Sequence, residues 1–286
     1  MKAASLKSLK AILIVLCGAC AMAIPLSFLL MHFLPRQLYQ SSFSPEACIN
    51  NMNLLRAYVI SLERRTDRRR YMASQLKYTK LPYEFFPGID GKLLNSSDCT
   101  NERLSFLSRM HPRTKFNFTE ACKSLGPYFT KYGTIGCWQS HLQIYFDIVE
   151  RAKKTGVDGP VLIFEDDAKL PSNIAQVLLP LMSQLPENWD GLFLGRHRHN
   201  CSVKVSQDLC RLDFFWGAHA YLLNGVKAAE KLINISNTEM MQTADVVWLS
   251  YTGGYLNFYT TKGRPIVVQD NSIRWESDIA PKKAIS

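Results

Sequence analysis

The stretch Pro160-Val161-Leu162-Ile163-Phe164-Glu165-Asp166-Asp167 sets an unbroken apolar run directly against three consecutive acids. An apolar run without polar alternation, held between turn residues, is the pattern of a strand covered on both faces, as in a parallel sheet. Three neighbouring carboxylates at its end repel one another and lose hydration, and a divalent cation offsets both costs. The carboxyl end of a strand in an open α/β sheet is also where ligands bind. The spacing alone fits an acidic turn facing solvent equally well.

Strands and helices alternate on either side of this run. Upstream, residues 56–62 (RAYVISL) are β-prone. A charged loop over 63–70 leads into a helix with Thr66 or Asp67 as N-cap and Tyr71, Met72 and Leu76 as its apolar stripe. Residues 83–86 predict a second strand, closed by Pro87-Gly88 and Asp90-Gly91. Residues 92–130 show little periodicity and predict an irregular insertion. Residues 135–149 have helical spacing at Leu142, Tyr145, Phe146 and Val149. Downstream, the pattern predicts helices over 173–185, 225–233 and 243–251, and strands over 189–194, 218–223 and 256–261. This alternation predicts an α/β fold with a mostly parallel sheet and flanking helices.

The N-terminus stands apart. Residues 11–34 contain no Lys, Arg, Asp or Glu. A helix over that run rises roughly 36 Å, enough for a hydrocarbon core of about 30 Å. Pro25 is tolerated in a spanning helix. Lys2, Lys7 and Lys10 precede the run, which predicts a cytoplasmic tail over 1–10 and a lumenal bulk. Ala19-Cys20-Ala21 and Ala21-Met22-Ala23 resemble signal-peptidase sites. The apolar run continues well past them, however, and favours an uncleaved type II anchor. Residues 35–53 read as a polar, irregular stem and 54–286 as the globular domain.

Two other features fit a lumenal domain. Asn95-Ser96-Ser97, Asn117-Phe118-Thr119, Asn200-Cys201-Ser202 and Asn234-Ile235-Ser236 are N-glycosylation sequons. Cys48, Cys99, Cys122, Cys137, Cys201 and Cys210 make an even set, and six cysteines allow 15 pairings. Cys201 with Cys210 closes the shortest loop. No Cys-x-x-Cys or paired-histidine spacing past residue 36 suggests zinc.

The net charge of +10 includes four positives (Lys2, Lys7, Lys10, Arg36) that flank the apolar run, leaving about +6 for the rest. That surplus suits an anionic ligand such as a nucleotide diphosphate. No basic patch interleaved with aromatics supports nucleic acid, and a lumenal location argues against it. Arg64, Arg65, Arg68, Arg69 and Arg70 follow the first strand, where helix-start N–H groups and guanidinium forks can cradle a pyrophosphate. A solvated basic face explains the same spacing. His141 near a helix start has a core or capping role as its plainer reading. His219, on a β-prone run, could approach a metal or simply pack. Asp245, in an apolar helix, needs a partner or a task.

Six blocks in order resemble glycosyltransferase family 25, which includes bacterial lipooligosaccharide galactosyltransferases and animal procollagen galactosyltransferases. They are Tyr58-Val59-Ile60-Ser61-Leu62-Glu63-Arg64-Arg65-Thr66-Asp67-Arg68, Phe86-Pro87-Gly88-Ile89-Asp90-Gly91, Gly136-Cys137-Trp138-Gln139-Ser140-His141-Leu142, Leu162-Ile163-Phe164-Glu165-Asp166-Asp167, Trp189-Asp190-Gly191-Leu192-Phe193-Leu194-Gly195, and Gly217-Ala218-His219-Ala220-Tyr221-Leu222. Ser61 departs from the family's usual Asn, and Gln139 interrupts the serine–histidine block.

The resemblance implies a GT-A-type, Rossmann-like domain that uses a nucleotide-diphospho-sugar, with a UDP-sugar and galactose as the expected donor. It implies Mn2+ as cofactor and a glycan or glycoprotein hydroxyl as acceptor, in a Golgi or endoplasmic reticulum membrane. A non-catalytic, sugar-binding family member is the alternative. The expected donor-binding residues are Arg64, Arg68, Asp90, His141, Glu165 and Asp166. The expected metal ligands are Asp167 and Glu165, and the expected catalytic residues are Asp245, as base, and His219.

Overall fold

The computed structural model describes residues 44–91, 131–238, 245, 248 and 251–270. The expected tail, anchor and insertion (1–10, 11–34 and 92–130) lie outside them, as do Asn95, Asn117, Cys99 and Cys122. Among the described residues no helix is long and apolar enough to cross a membrane.

In chain order the elements are α1 (Pro45–Asn51), β1 (Arg56–Ser61), α2 (Thr66–Thr79), β2 (Tyr83–Pro87), α3 (Lys131–Thr155), β3 (Val161–Glu165), β4 (Ala168–Lys169), α4 (Ile174–Met182), β5 (Gly191–Gly195), β6 (Arg198–Lys204), β7 (Leu209–Trp216), β8 (Ala220–Leu223), α5 (Gly225–Thr238), β9 (Phe258–Thr261) and β10 (Val268–Gln269). Eight strands form one sheet in the order β2-β1-β3-β8-β5-β9-β7-β6, and β10 pairs with β4. The pairings give β2, β1, β3, β5, β9 and β6 one sense and β8 and β7 the other, so the sheet is mixed.

The expected strands are all present, with ends shifted by a few residues. β3 lies between β1 and β8, and Leu162, Ile163 and Phe164 are fully buried. Burying each such side chain contributes about 1.5–3 kcal/mol, so the end of β3 is a firmly held platform. Tyr58, Trp138, Tyr145, Phe193, Tyr221, Trp248 and Phe258 form the aromatic heart of the core.

Three departures from the sequence reading have local causes. The stem gives way at residue 45 to α1, where the Ser44 hydroxyl accepts the Ala47 N–H at 3.1 Å and Pro45 opens the first turn. α2 begins at Thr66, so Arg65 takes the N-cap position without a side-chain cap, and Asp67 sits in the first turn beside the Arg65 guanidinium at 3.0 Å. The hairpin β6–β7 occupies residues for which the sequence pattern predicts no element. The disulfide Cys201–Cys210 ties its strands, with Cα atoms 5.7 Å apart. Cys48 and Cys137 carry no disulfide.

α3 starts at Lys131 and takes in Gly133 and Gly136. A Cβ at Gly136 would collide with the Ile89 carbonyl oxygen, so only glycine lets the helix pack this closely on the loop after β2. The Ser140 hydroxyl accepts the Ile89 N–H at 2.8 Å and donates to the Gly136 carbonyl at 2.6 Å.

Candidate functional site

β3 delivers Glu165, Asp166 and Asp167 to the edge of the sheet, and backbone bonds fix them there. The Glu165 N–H donates to the His219 carbonyl at 2.9 Å, and the Asp167 carbonyl accepts the Asp270 N–H at 2.8 Å. Asp166 and Asp167 are buried, at 6% and 9% exposure, so the acidic stretch is not a solvated turn.

Arg68, itself buried, crosses from α2 to meet them. Its Nη1 lies 2.9 Å from Asp166 Oδ1 and 3.3 Å from Asp167 Oδ2. Gln269 Nε2 donates to Asp167 Oδ2 at 3.0 Å. One guanidinium against three acids leaves the cluster short of positive charge. Burial pushes the Asp167 carboxyl up to about 7, with the Glu165 charge adding to the shift and Arg68 opposing it. Burial raises Asp166 as well, against the pull of Arg68. For Glu165 burial acts upward, but the hydrogen bond and charge of His141 outweigh it and the group is lowered. Asp167 Oδ1 is buried with no hydrogen-bond partner. An orphaned carboxylate oxygen in an electron-rich cluster is the donor a hard divalent cation takes, so the residues fit such an ion.

The acids line an open cleft together with Ser61, Arg68, Asp90, Cys137, His141 and Gln269. His141 is held rigidly, with Nδ1 2.8 Å from the Tyr221 hydroxyl and Nε2 3.4 Å from Glu165 Oε1. Cys137 Sγ lies 3.9 Å from the same Glu165 oxygen. Burial pushes the Cys137 thiol well up, and the neighbouring Glu165 charge adds to it.

The structure therefore gathers Arg68, Asp90, His141, Glu165, Asp166 and Asp167 at one cleft. Arg64 stands outside the lining and forms an ion pair with Asp90 through both guanidinium and carboxylate groups. His219 is buried beside β3, with Nε2 3.4 Å from the Val267 carbonyl, and does not line the cleft. Asp245 also lies outside the lining, and its Oδ2 accepts the Gly217 N–H at 2.8 Å. Sequence reading missed Cys137, Ser61 and Gln269. Cys137 was detectable, because it stands one helical turn before His141, whereas nothing near Gln269 signals its partner 102 residues away.

A family model described as "Glycosyltransferase family 25 (LPS biosynthesis protein)" matches residues 55–248. The bovine protein named "Probable inactive glycosyltransferase 25 family member 3" is 30% identical over 191 residues, which are 64% of this chain and 29% of that protein. The zebrafish "Procollagen galactosyltransferase 1" is 26% identical over 204 residues, 68% of this chain and 31% of that one. The matched part thus spans about a third of these relatives' length. Among solved structures, mouse xyloside xylosyltransferase 1 in its apo form matches with a TM-score of 0.38 and 12% identity, over 85% of this chain and 94% of that chain, a likeness too slight to argue from.

Proposed function

The chain belongs to glycosyltransferase family 25, and from that premise we propose that it transfers a hexose, galactose first among candidates, from a UDP-sugar to a hydroxyl of a glycan or protein. The observation that carries this reading is the buried acidic cluster at an open cleft, with the orphaned oxygen of Asp167 facing no protein partner.

In this mechanism Asp167 and Glu165 would hold a hard divalent cation through carboxylate oxygens, with Mn2+ the candidate that the family resemblance implies. When bound, the ion supplies the positive charge that stabilises the departing diphosphate. Arg68 fixes the direction of Asp166 and Asp167, so the carboxylates need no reorganisation when the donor arrives. Asp166 takes the donor's ribose, and Asp90 and His141 bound the sugar side of the cleft. Asp245 is the candidate base. Its Oδ2 is engaged with Gly217 and the residue stands outside the cleft lining; in this reading its other carboxylate oxygen would take the acceptor proton as the hydroxyl attacks the anomeric carbon. His219 supports the site through its backbone carbonyl, which holds Glu165.

We infer from the charge-free run 11–34, with lysines only before it, that the domain lies on the lumenal side of a secretory membrane, anchored by that run. The Cys201–Cys210 disulfide supports an oxidising compartment.

A second reading is a sugar-nucleotide-binding protein that performs no transfer. It is favoured by Arg68, which already sits where a cation would neutralise the acids, and by relatives whose names call them inactive. Incubating the full-length chain with UDP-sugars, with and without manganese, separates the two. Manganese-dependent release of UDP supports transferase chemistry. Donor binding without any release, under every sugar tried, supports the second reading. No donor binding at all overturns both.

A further inference from the structure

The cleft wall carries a second group of donor atoms, of a different chemical kind from the paired aspartates. Cys137 and His141 are four residues apart on α3, so their side chains share one face, and Glu165 meets them from the end of β3. Cys137 Sγ, His141 Nε2 and a Glu165 carboxylate oxygen lie within 4.8 Å of one another. The two edges to Glu165 measure 3.9 Å from sulfur and 3.4 Å from nitrogen. Bonds of about 2.3 Å to sulfur and about 2.0 Å to nitrogen and oxygen put tetrahedral ligands roughly 3.3–3.6 Å apart. A small rotation of the Cys137 side chain closes the set.

The imidazole is also oriented as a ligand. His141 Nδ1 is engaged by the Tyr221 hydroxyl at 2.8 Å, and that hydroxyl is 2.7 Å from the Tyr145 hydroxyl, with both tyrosines 1% exposed. An outer hydrogen bond of this kind fixes which ring nitrogen faces a metal. All three donors line the cleft, so an ion has an entry path and a free position for water or another ligand.

We propose that Cys137, His141 and Glu165 form a zinc-class metal site, with three protein ligands and a fourth position open to the cleft. Thiolate and imidazole donors favour zinc over manganese or magnesium, which prefer all-oxygen sets. Binding displaces the Cys137 proton to solvent. The site shares only Glu165 with the acidic set, and its existence does not depend on whether the chain transfers sugar.

Cobalt(II) titration of the reduced full-length chain is the test, because a cobalt–thiolate bond gives a near-ultraviolet charge-transfer band and tetrahedral cobalt gives intense visible bands. We expect both in the wild type. Cys137→Ser should lose the charge-transfer band, His141→Gln should weaken the binding that this band reports by about 10-fold or more, and Asp167→Asn should keep the band. Zinc should also protect Cys137 of the wild type from iodoacetamide, read on its peptide by mass spectrometry, a readout that does not depend on any variant folding. The proposal is overturned by a wild type without the charge-transfer band, by a band that survives in folded Cys137→Ser or vanishes in folded Asp167→Asn, or by unprotected Cys137 in saturating zinc.

Discussion

Asp167 concentrates the electrostatic cost of the site in one carboxyl group. Its folded value of about 7 lies above the ordinary 3.8. The folded chain therefore keeps a proton that the unfolded chain gives up, so this group's stabilising contribution is complete below about pH 4 and is lost as pH rises towards 7. In metal-free protein, Asp167→Asn should remove that slope and raise stability by about 1–3 kcal/mol at pH 8, read from urea denaturation across pH. With manganese and donor present the order should reverse, since only the wild type gains stability from binding. A wild type that stabilises from pH 4 to 7 would contradict the assignment. Gln139 poses a simpler imbalance. It is fully buried, and neither its Oε1 nor its Nε2 has a partner. An unmatched buried amide costs about 1–3 kcal/mol, so Gln139→Leu should raise the unfolding free energy by about 1–2 kcal/mol. An unchanged or lower midpoint would show that water satisfies the amide.

At the scale of elements, Arg68 is the tie between α2 and the end of β3. It was expected to touch the donor's phosphates, yet its guanidinium is directed at Asp166 and Asp167. Removing one partner of a buried ion pair leaves uncompensated charge, so Arg68→Ala should cost about 3–5 kcal/mol near neutral pH. The loss should shrink as pH falls and the two aspartates take up protons. Arg64→Ala breaks a partly exposed pair with Asp90 and should cost within about 1 kcal/mol. Equal losses for the two, measured by the same denaturation, would refute this account.

The strands with dense apolar runs, β1, β3, β5 and β8, were legible because burial on both faces keeps their central positions apolar. β6 was not: RHNCSVK lies at the sheet's edge, where exposed positions take polar side chains and the hydrophobic signal fades. α1 carried its own signal in Ser44-Pro45-Glu46, although the seven-residue helix is too short for a periodic pattern. The acidic stretch was visible as a site, but its guanidinium partner was not, because a pairing across 98 residues leaves no trace in local spacing.

For the whole molecule, the compartment is the property most open to direct measurement. Asn200 and Asn234 are both exposed. Expressed in full in secretory cells, the chain should lose mass on glycosidase treatment, and Asn200→Gln and Asn234→Gln should each remove one step of that loss. No loss in any variant would argue against a lumenal domain. The seam at Gly136, Ser140 and Ile89 bears on how the cleft breathes. α3 and the loop bearing Asp90 are joined too closely there to part, so they form one rigid jaw. On the other side β10 pairs with β4, and the Val267 and Asp270 amides add bonds to the Leu194 and Asp167 carbonyls. In hydrogen exchange, the Ile89 amide should be slow although it lies in a loop, because its N–H is held by the Ser140 hydroxyl; fast exchange there would show that the jaw parts.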